Sequence, residues 1–272
     1  MSKRNITLLS MGAGNVRVLE ETLKSFIDSG VCNEVIYGEM LLFPSEDMGI
    51  INGYKEKYNL KSIKFPFNYI LKNGFSAILN ELASYATNDM VMYANTSEVI
   101  GEDMGISDIV SANQDCNAFY FAHRSENHRW FRMYNRKDLY WSGRIHEELQ
   151  GEFKPYYKPI FYMEDREKDL QDSFKAKVLN DFKEITYWHQ LIKIVDDPTS
   201  LGGTNEGWVQ FAKDTYDNMK KRLSEKSGRY EMALAGDNEG YMNNVMTNPE
   251  FEKERFESNN MIAFQGDKIH LL

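Results

Sequence analysis

The first hundred residues alternate between two periodicities, and this alternation limits the possible fold more than any other feature of the chain. "NITLLSM" (5–11) is an apolar, β-rich run that ends in the glycine turn "GAG". Val18, Leu19, Thr22, Leu23, Phe26 and Ile27 then recur at helical spacing, and Gly30 stands where a helix C-cap glycine belongs. "NEVIYGE" (33–39) predicts a second strand and "SIKFPF" (62–67) a third. Phe75, Ile78, Leu79, Leu82 and Ala86 mark another helix, closed by the turn "TND", and the run from Met90 to Ala94 is a fourth strand. Strand, helix, strand, strand, helix, strand is the rhythm of an α/β domain with a mostly parallel sheet. Such sheets bind ligands beyond the carboxyl ends of their strands. That rule singles out Ser10–Asn15, Glu39, Asn68 and Asn95–Glu98, all polar places.

Beyond about residue 165 the pattern becomes helical. Leu170, Phe174, Val178, Phe182, Ile185, His189 and Ile192 are three or four apart and predict one long amphipathic helix. "DDPTSLGGTN" (196–205) breaks it, and Trp208, Phe211, Ala212, Met219 and Leu223 define another. The tail from Gly228 is polar and methionine-rich, its methionines read as packing. The expected organisation is an α/β unit over 1–165 and a helical C-terminal extension over 166–272.

Bulk properties narrow the class. The 272 residues are 42% hydrophobic and 13% aromatic, a globular composition. No apolar run reaches the roughly 20 residues of a spanning helix. The basic start "MSKRNITLLSMGAG" is interrupted too early for a signal peptide. Two cysteines, Cys32 and Cys116, make neither a disulfide framework nor a cysteine-rich zinc site, so a reducing, cytoplasmic setting is expected. A net charge of −9 disfavours unspecific attraction to nucleic acid or anionic membrane. Residues 123–146 run against that balance. Arg124, Arg129, Arg132, Arg136, Lys137 and Arg144 face only Glu126 and Asp138, interleaved with Trp130, Phe131, Tyr134, Tyr140 and Trp141. Two readings stand: a local anion site, or a pair of strands with solvated arginines.

"MGAGNVR" follows a strand and opens a helix, as a dinucleotide fingerprint does. Gly12 and Gly14 fit its first two glycines, but Arg17 stands where the third belongs. The acid that closes the second strand of such a site would have to be Glu39. An NAD-dependent or flavin enzyme is the alternative this stretch supports.

The larger pattern is a combination. "FPFNYILKNGFSAILNELASYATNDMVMYANTSE" (65–98), followed by "RWFRMYNRKDLYWSGRIHEEL" (129–149), resembles family 2 glycosyltransferases, most closely the bacterial branch that builds lipopolysaccharide cores. Phe75, Ser76 and Asn80 match its helix start, Asp89 its strand start and Glu98 the last acid of its Asp-x-Asp-Glu motif. Arg132, Met133 and Tyr134, then Gly143, Arg144, Ile145, His146 and Glu147, match its later block. The resemblance spans roughly the first 165 residues. It implies a GT-A fold and inverting sugar transfer from a nucleotide-diphosphate donor, UDP-linked by preference.

The chemistry needs neutralised leaving phosphates and a base for the acceptor hydroxyl. By the resemblance, Glu147 or Glu148 is the base, and His146 touches the diphosphate or a metal. Met11, Gly12, Asn15, Glu39, Asn68, Asn80, Asn95, Ser97, Arg132 and Arg144 contact the donor, with Glu39 reading the nucleobase. A Mg²⁺ or Mn²⁺ ion would sit on Ser97, Glu98 and His146.

The chain also departs from the family. Asn95 and Ser97 stand in place of the two aspartates, Leu79 replaces a helix arginine, and "MEDRE" (163–167) replaces paired histidines. Two outcomes follow: an enzyme that holds its donor weakly through a metal or without one, or a silent nucleotide-sugar-binding module. The basic aromatic segment suits an acceptor glycan or a hydroxylated nucleic-acid base. Nothing in the sequence specifies an oligomer.

Overall fold

The computed structural model describes residues 5–12, 16–42, 48–96, 98–103, 105–123, 129–144, 148–158, 161–165, 174–197, 206–249 and 251. The first half comprises β1 (Ile6–Gly12), α1 (Val16–Asp28), β2 (Glu34–Met40), α2 (Met48–Tyr58), β3 (Leu60–Phe65), α3 (Tyr69–Asn73), α4 (Phe75–Ser84) and β4 (Met90–Tyr93). Then come β5 (Glu98–Asp103), α5 (Ile106–Ala112), β6 (Ala118–His123), β7 (Arg129–Asn135), β8 (Leu139–Ser142), β9 (Glu148–Gly151), β10 (Pro155–Tyr156) and β11 (Phe161–Asp165). Among the described residues four helices follow: α6 (Phe174–Asp196), α7 (Glu206–Ser224), α8 (Arg229–Ala235) and α9 (Asn238–Thr247).

The expected α/β class holds: a mostly parallel sheet flanked by helices, with helices closing the chain. The strand order is β3-β2-β1-β4-β7-β6-β11-β5, with β10 beside β6. The pairs β2–β3, β1–β2, β1–β4, β6–β11 and β6–β10 are parallel. The antiparallel pairs of this sheet are β4–β7, β6–β7 and β5–β11. Gly12 lies opposite Glu39, and Met40 opposite Phe65, so the first three strands end level. Strands β8 and β9 form a separate hairpin.

Alternation along the strands feeds two cores, one on each face. Ile6 and Leu8 of β1 and Val35 and Tyr37 of β2 pack with Leu19, Leu23 and Phe26 of α1 and Ile51 and Tyr54 of α2. Leu9, Met11, Ile36 and Met40 point the other way. They join Phe75, Ile78, Leu79 and Leu82 of α4, Trp141 of the hairpin and the C-terminal helices.

Three features depart from the sequence reading. Helix α2 lies where no helix was expected between β2 and β3. Its glycines and lysines mask the stripe Ile51, Tyr54 and Tyr58, yet parallel pairing of those strands requires a crossover of about a dozen residues. Helix α6 is not one-sided: every residue from Asp181 to Ile192 is buried. Its buried acids are matched by Lys226, in the turn before α8, and by Arg229, the first residue of α8. Asp181 takes Lys226 at 3.2 Å, Arg229 at 3.1 Å and the Tyr241 hydroxyl at 2.8 Å, while Glu184 takes Lys226 at 2.7 Å. The methionine-rich tail forms α8 and α9, and Tyr241 closes an aromatic triangle with Phe67 and Phe182 at centroid separations of 5.9 and 6.1 Å. None of the described helices is long and apolar enough to cross a membrane.

Candidate functional site

Strand β4 ends in a closed polar network. The Tyr93 hydroxyl donates to Oδ1 of Asn95, and the Asn95 backbone N–H donates to Oε2 of Glu98 at 2.7 Å. The Glu98 N–H returns a bond to the Asn95 carbonyl at 3.1 Å, which makes the segment a hydrogen-bonded turn. Arg132 of the neighbouring β7 donates from Nη1 to the same Glu98 oxygen, and its guanidinium lies 5.5 Å from the Tyr93 ring centroid. Asn95, Glu98 and Arg132 are all buried. Helix α1 steadies the turn from the other side: Thr22 donates to the Thr96 carbonyl at 2.8 Å, and Ser25 accepts from the Ile100 N–H at 2.6 Å. Gly12, at the end of β1, meets this turn directly. A β-carbon there would stand 2.7 Å from the Tyr37 hydroxyl and 2.9 Å from Cγ2 of Thr96.

The two motif blocks meet along α4. Asn80 Nδ2 donates to the Trp141 carbonyl at 2.7 Å, and its Oδ1 accepts from the Trp141 N–H at 2.8 Å. One turn earlier, the Ser76 hydroxyl donates to the Gly143 carbonyl, and the Phe75 N–H reaches the Arg144 carbonyl at 3.3 Å. Gly74, at φ +83°, allows the approach, since a β-carbon there would lie 3.1 Å from Cα of Arg144. Helix α4 starts beyond the carboxyl end of β3, so this contact sets Gly143 and Arg144 at the edge of the sheet where the strand ends collect. Arg144 continues to α6, donating to Oε1 of Gln190 at 3.1 Å, and Gln190 donates to the Ile70 and Leu71 carbonyls at 2.9 and 2.5 Å. The adjacent His189 has its Nδ1 2.8 Å from the Tyr230 hydroxyl. Burial, with Lys193 and Arg144 nearby, pushes the His189 imidazole down to about 4, so it is neutral at pH 7.

The ends of β2 and β3 meet the C-terminal helices. Glu39 is buried and level with Gly12 and Lys64. Asn68, also buried, donates to the Leu234 carbonyl at 3.3 Å, and Asn238 donates to the Leu41 carbonyl at 2.7 Å. Met11 packs into the core on the α4 face rather than presenting its side chain at the strand end. Glu148 is exposed at the start of β9, opposite Ser142. Asn15, Ser97, His146 and Glu147 lie outside the described residues.

Mg²⁺ and Mn²⁺ want several oxygen ligands with carboxylates among them. Here Asn95 Oδ1 accepts from Tyr93, and Glu98 is ion-paired to Arg132. Among the described residues no group of three or more His, Cys, Asp or Glu is arranged to hold an ion. The described donor set at this turn does not fit a divalent metal.

Of the basic segment, the described side chains hold protein partners. Arg132 pairs with Glu98, Arg136 donates to the Asn88 carbonyl at 2.9 Å, Lys137 binds Asp89 at 2.8 Å, and Arg144 binds Gln190. Sequence reasoning missed Tyr93, Thr22, Gln190 and His189. Tyr93 carried a usable signal, being the last aromatic of a strand that runs into a polar turn. Gln190 carried none, because its partners are between 46 and 120 residues away.

No protein-family model matches the chain, and no curated protein matches it. Solved structures of similar shape exist. The mannosyltransferase PcManGT from Pyrobaculum calidifontis, in complex with GDP-Man and Mn²⁺, is similar at TM-score 0.45 and 12% identity, over 97% of this chain and 86% of that one. S. aureus TarS 1–349 in complex with UDP is similar at TM-score 0.44 and 11% identity, over 87% of this chain and 89% of that one. A longer TarS structure is similar at TM-score 0.42 and 9% identity over 93% of this chain. This chain spans 54% of that longer one, about half its length.

Proposed function

We propose that this chain is a GT-A-type glycosyltransferase that moves a sugar, with inversion, from a nucleotide-diphosphate donor to an acceptor hydroxyl. The supporting observation is the α4 contact. Phe75, Ser76 and Asn80 on one side, and Trp141, Gly143 and Arg144 on the other, are the two blocks that carry the resemblance. They grip each other at the edge of the sheet where α/β proteins bind ligands.

In this reading residues 1–165 bind the donor and carry the reaction, and the following helices complete the acceptor side. Glu39 contacts the base of a UDP-linked donor, and Gly12, Asn15, Asn95, Ser97 and Arg144 line its phosphates. The acceptor oxygen attacks the anomeric carbon in line with the bond to the diphosphate. As the new C–O bond forms, the electron pair of the breaking bond leaves on the β-phosphate oxygen. The hydroxyl proton passes to the carboxylate of Glu147 or Glu148. His146 and Arg144 stabilise the departing charge. The acceptor is a glycan or a hydroxylated nucleic-acid base, and the setting is cytoplasmic.

Calorimetric titration with UDP, GDP and their sugars, joined to an assay for released nucleotide, tests the reading. Binding with slow donor hydrolysis or transfer supports the enzyme. The neutral Asn95 side chain, held by Tyr93, favours a second reading, a nucleotide-sugar-binding module, which predicts binding without turnover. Absence of any nucleotide binding removes both.

A further inference from the structure

We propose that the turn at the end of β4 works without a divalent ion, because Arg132 holds Oε2 of Glu98, an oxygen that a metal there would need. The proposal rests on the nucleotide-diphosphate reading above for its meaning, but not for its test. Charge is the first ground. Asn95 and Thr96 bring none to the turn, and the single negative charge of Glu98 is matched by the guanidinium. Among the described side chains of the turn, a divalent ion would meet this ion pair instead of a nest of carboxylates.

Geometry is the second ground. Oε2 of Glu98 is held from two directions, by Arg132 and by the Asn95 N–H at 2.7 Å. Arg132 stacks against Tyr93, and Tyr93 in turn fixes the side-chain oxygen of Asn95. The four residues therefore lock one another. Entry of a metal at Oε2 of Glu98 would separate Arg132 from a buried ion-pair partner, which is an unfavourable exchange.

Two measurements on the full chain test this. In the first, UDP and GDP are titrated in excess EDTA and again in millimolar Mn²⁺; the dissociation constants should agree within about a factor of two. Tightening by tenfold or more in Mn²⁺ overturns the lock while leaving the nucleotide reading intact. In the second, binding of Mn²⁺ alone is followed by electron paramagnetic resonance. The wild type and Asn95→Asp, in which the ion pair is intact, should bind no Mn²⁺ at this turn. Asn95→Asp combined with Arg132→Gln should bind it at least tenfold more tightly. Mn²⁺ bound by the wild type and lost in Glu98→Gln overturns the proposal, as does a tenfold gain in Asn95→Asp alone. If no nucleotide binds in either buffer, the proposed function fails and the Mn²⁺ series still decides the lock. Should the double variant not fold, the single Asn95→Asp and Glu98→Gln variants carry the decision.

Discussion

Asn80 and Trp141 form a closed pair: one carboxamide satisfies both the N–H and the carbonyl of a single backbone position, at 2.8 and 2.7 Å. A side chain on α4 thereby serves as the neighbouring strand for β8. Replacing it leaves two poorly hydrated backbone groups without partners, because Trp141 is buried. Asn80→Ala should lower unfolding free energy by about 2–4 kcal/mol in urea denaturation. Asn80→Asp should cost a comparable amount, since a carboxylate would face the Trp141 carbonyl. Faster amide exchange at Trp141 in either variant would tie the loss to this pair.

Gly12 gives a second prediction. A methyl group there must displace the buried Tyr37 hydroxyl or the Thr96 methyl, at 2.7 and 2.9 Å. Gly12→Ala should destabilise by about 1–3 kcal/mol. Adding Tyr37→Phe, which removes the nearer obstacle, should recover part of that. A cycle showing simple additivity would contradict the contact.

His189 sets a pH window. Its imidazole titrates near 4 in the fold, first through burial and then through Lys193 and Arg144, against an ordinary value of 6.5. Between those values the unfolded chain binds more protons than the folded one, so stability falls as pH drops from about 6.5 toward 4. The loss attributable to this residue is roughly 2–3 kcal/mol. His189→Gln should flatten the profile in that window, and an NMR titration should place the ring near the lower value.

Glu34 acts lower still. Burial alone would raise its carboxyl, but hydrogen bonds from Lys61, Thr7 and Thr87 outweigh burial and bring it down to about 2. The stability it contributes is fully present above about 4.5 and is lost as pH falls toward 2. Screening through the half-exposed Lys61 limits the effect to roughly 2 kcal/mol. Glu34→Gln should remove this acid limb while leaving the His189 window in place.

The strand runs, α1 and α4 were readable because each carries a single period over its length. Helix α2 was not, because two glycines and a lysine-rich face interrupt its stripe, although the parallel β2–β3 pair required a crossover. The burial of α6 on all sides was hidden for a different reason. Asp181 and Glu184 look like a solvated face until Lys226 and Arg229, more than forty residues later, return to them. At the candidate site, the polar strand ends were visible as places, but their partners were not. Asn68 and Asn80 read as groups awaiting a ligand, while the fold engages Asn68 with α8 and Asn80 with β8. The Arg132–Glu98 pair joins residues 34 apart in sequence, and no local pattern announces it.

The bonds from Asn238 to Leu41 and from Asn68 to Leu234 have a practical reach. They make α8 and α9 the stopper for two strand ends. A chimera that exchanged everything past residue 165 for a foreign tail would inherit an unplugged sheet and one ring of a three-ring aromatic triangle. Transplanting an acceptor module onto this scaffold therefore means redesigning Leu41, Phe67 and Asn68 together with the graft.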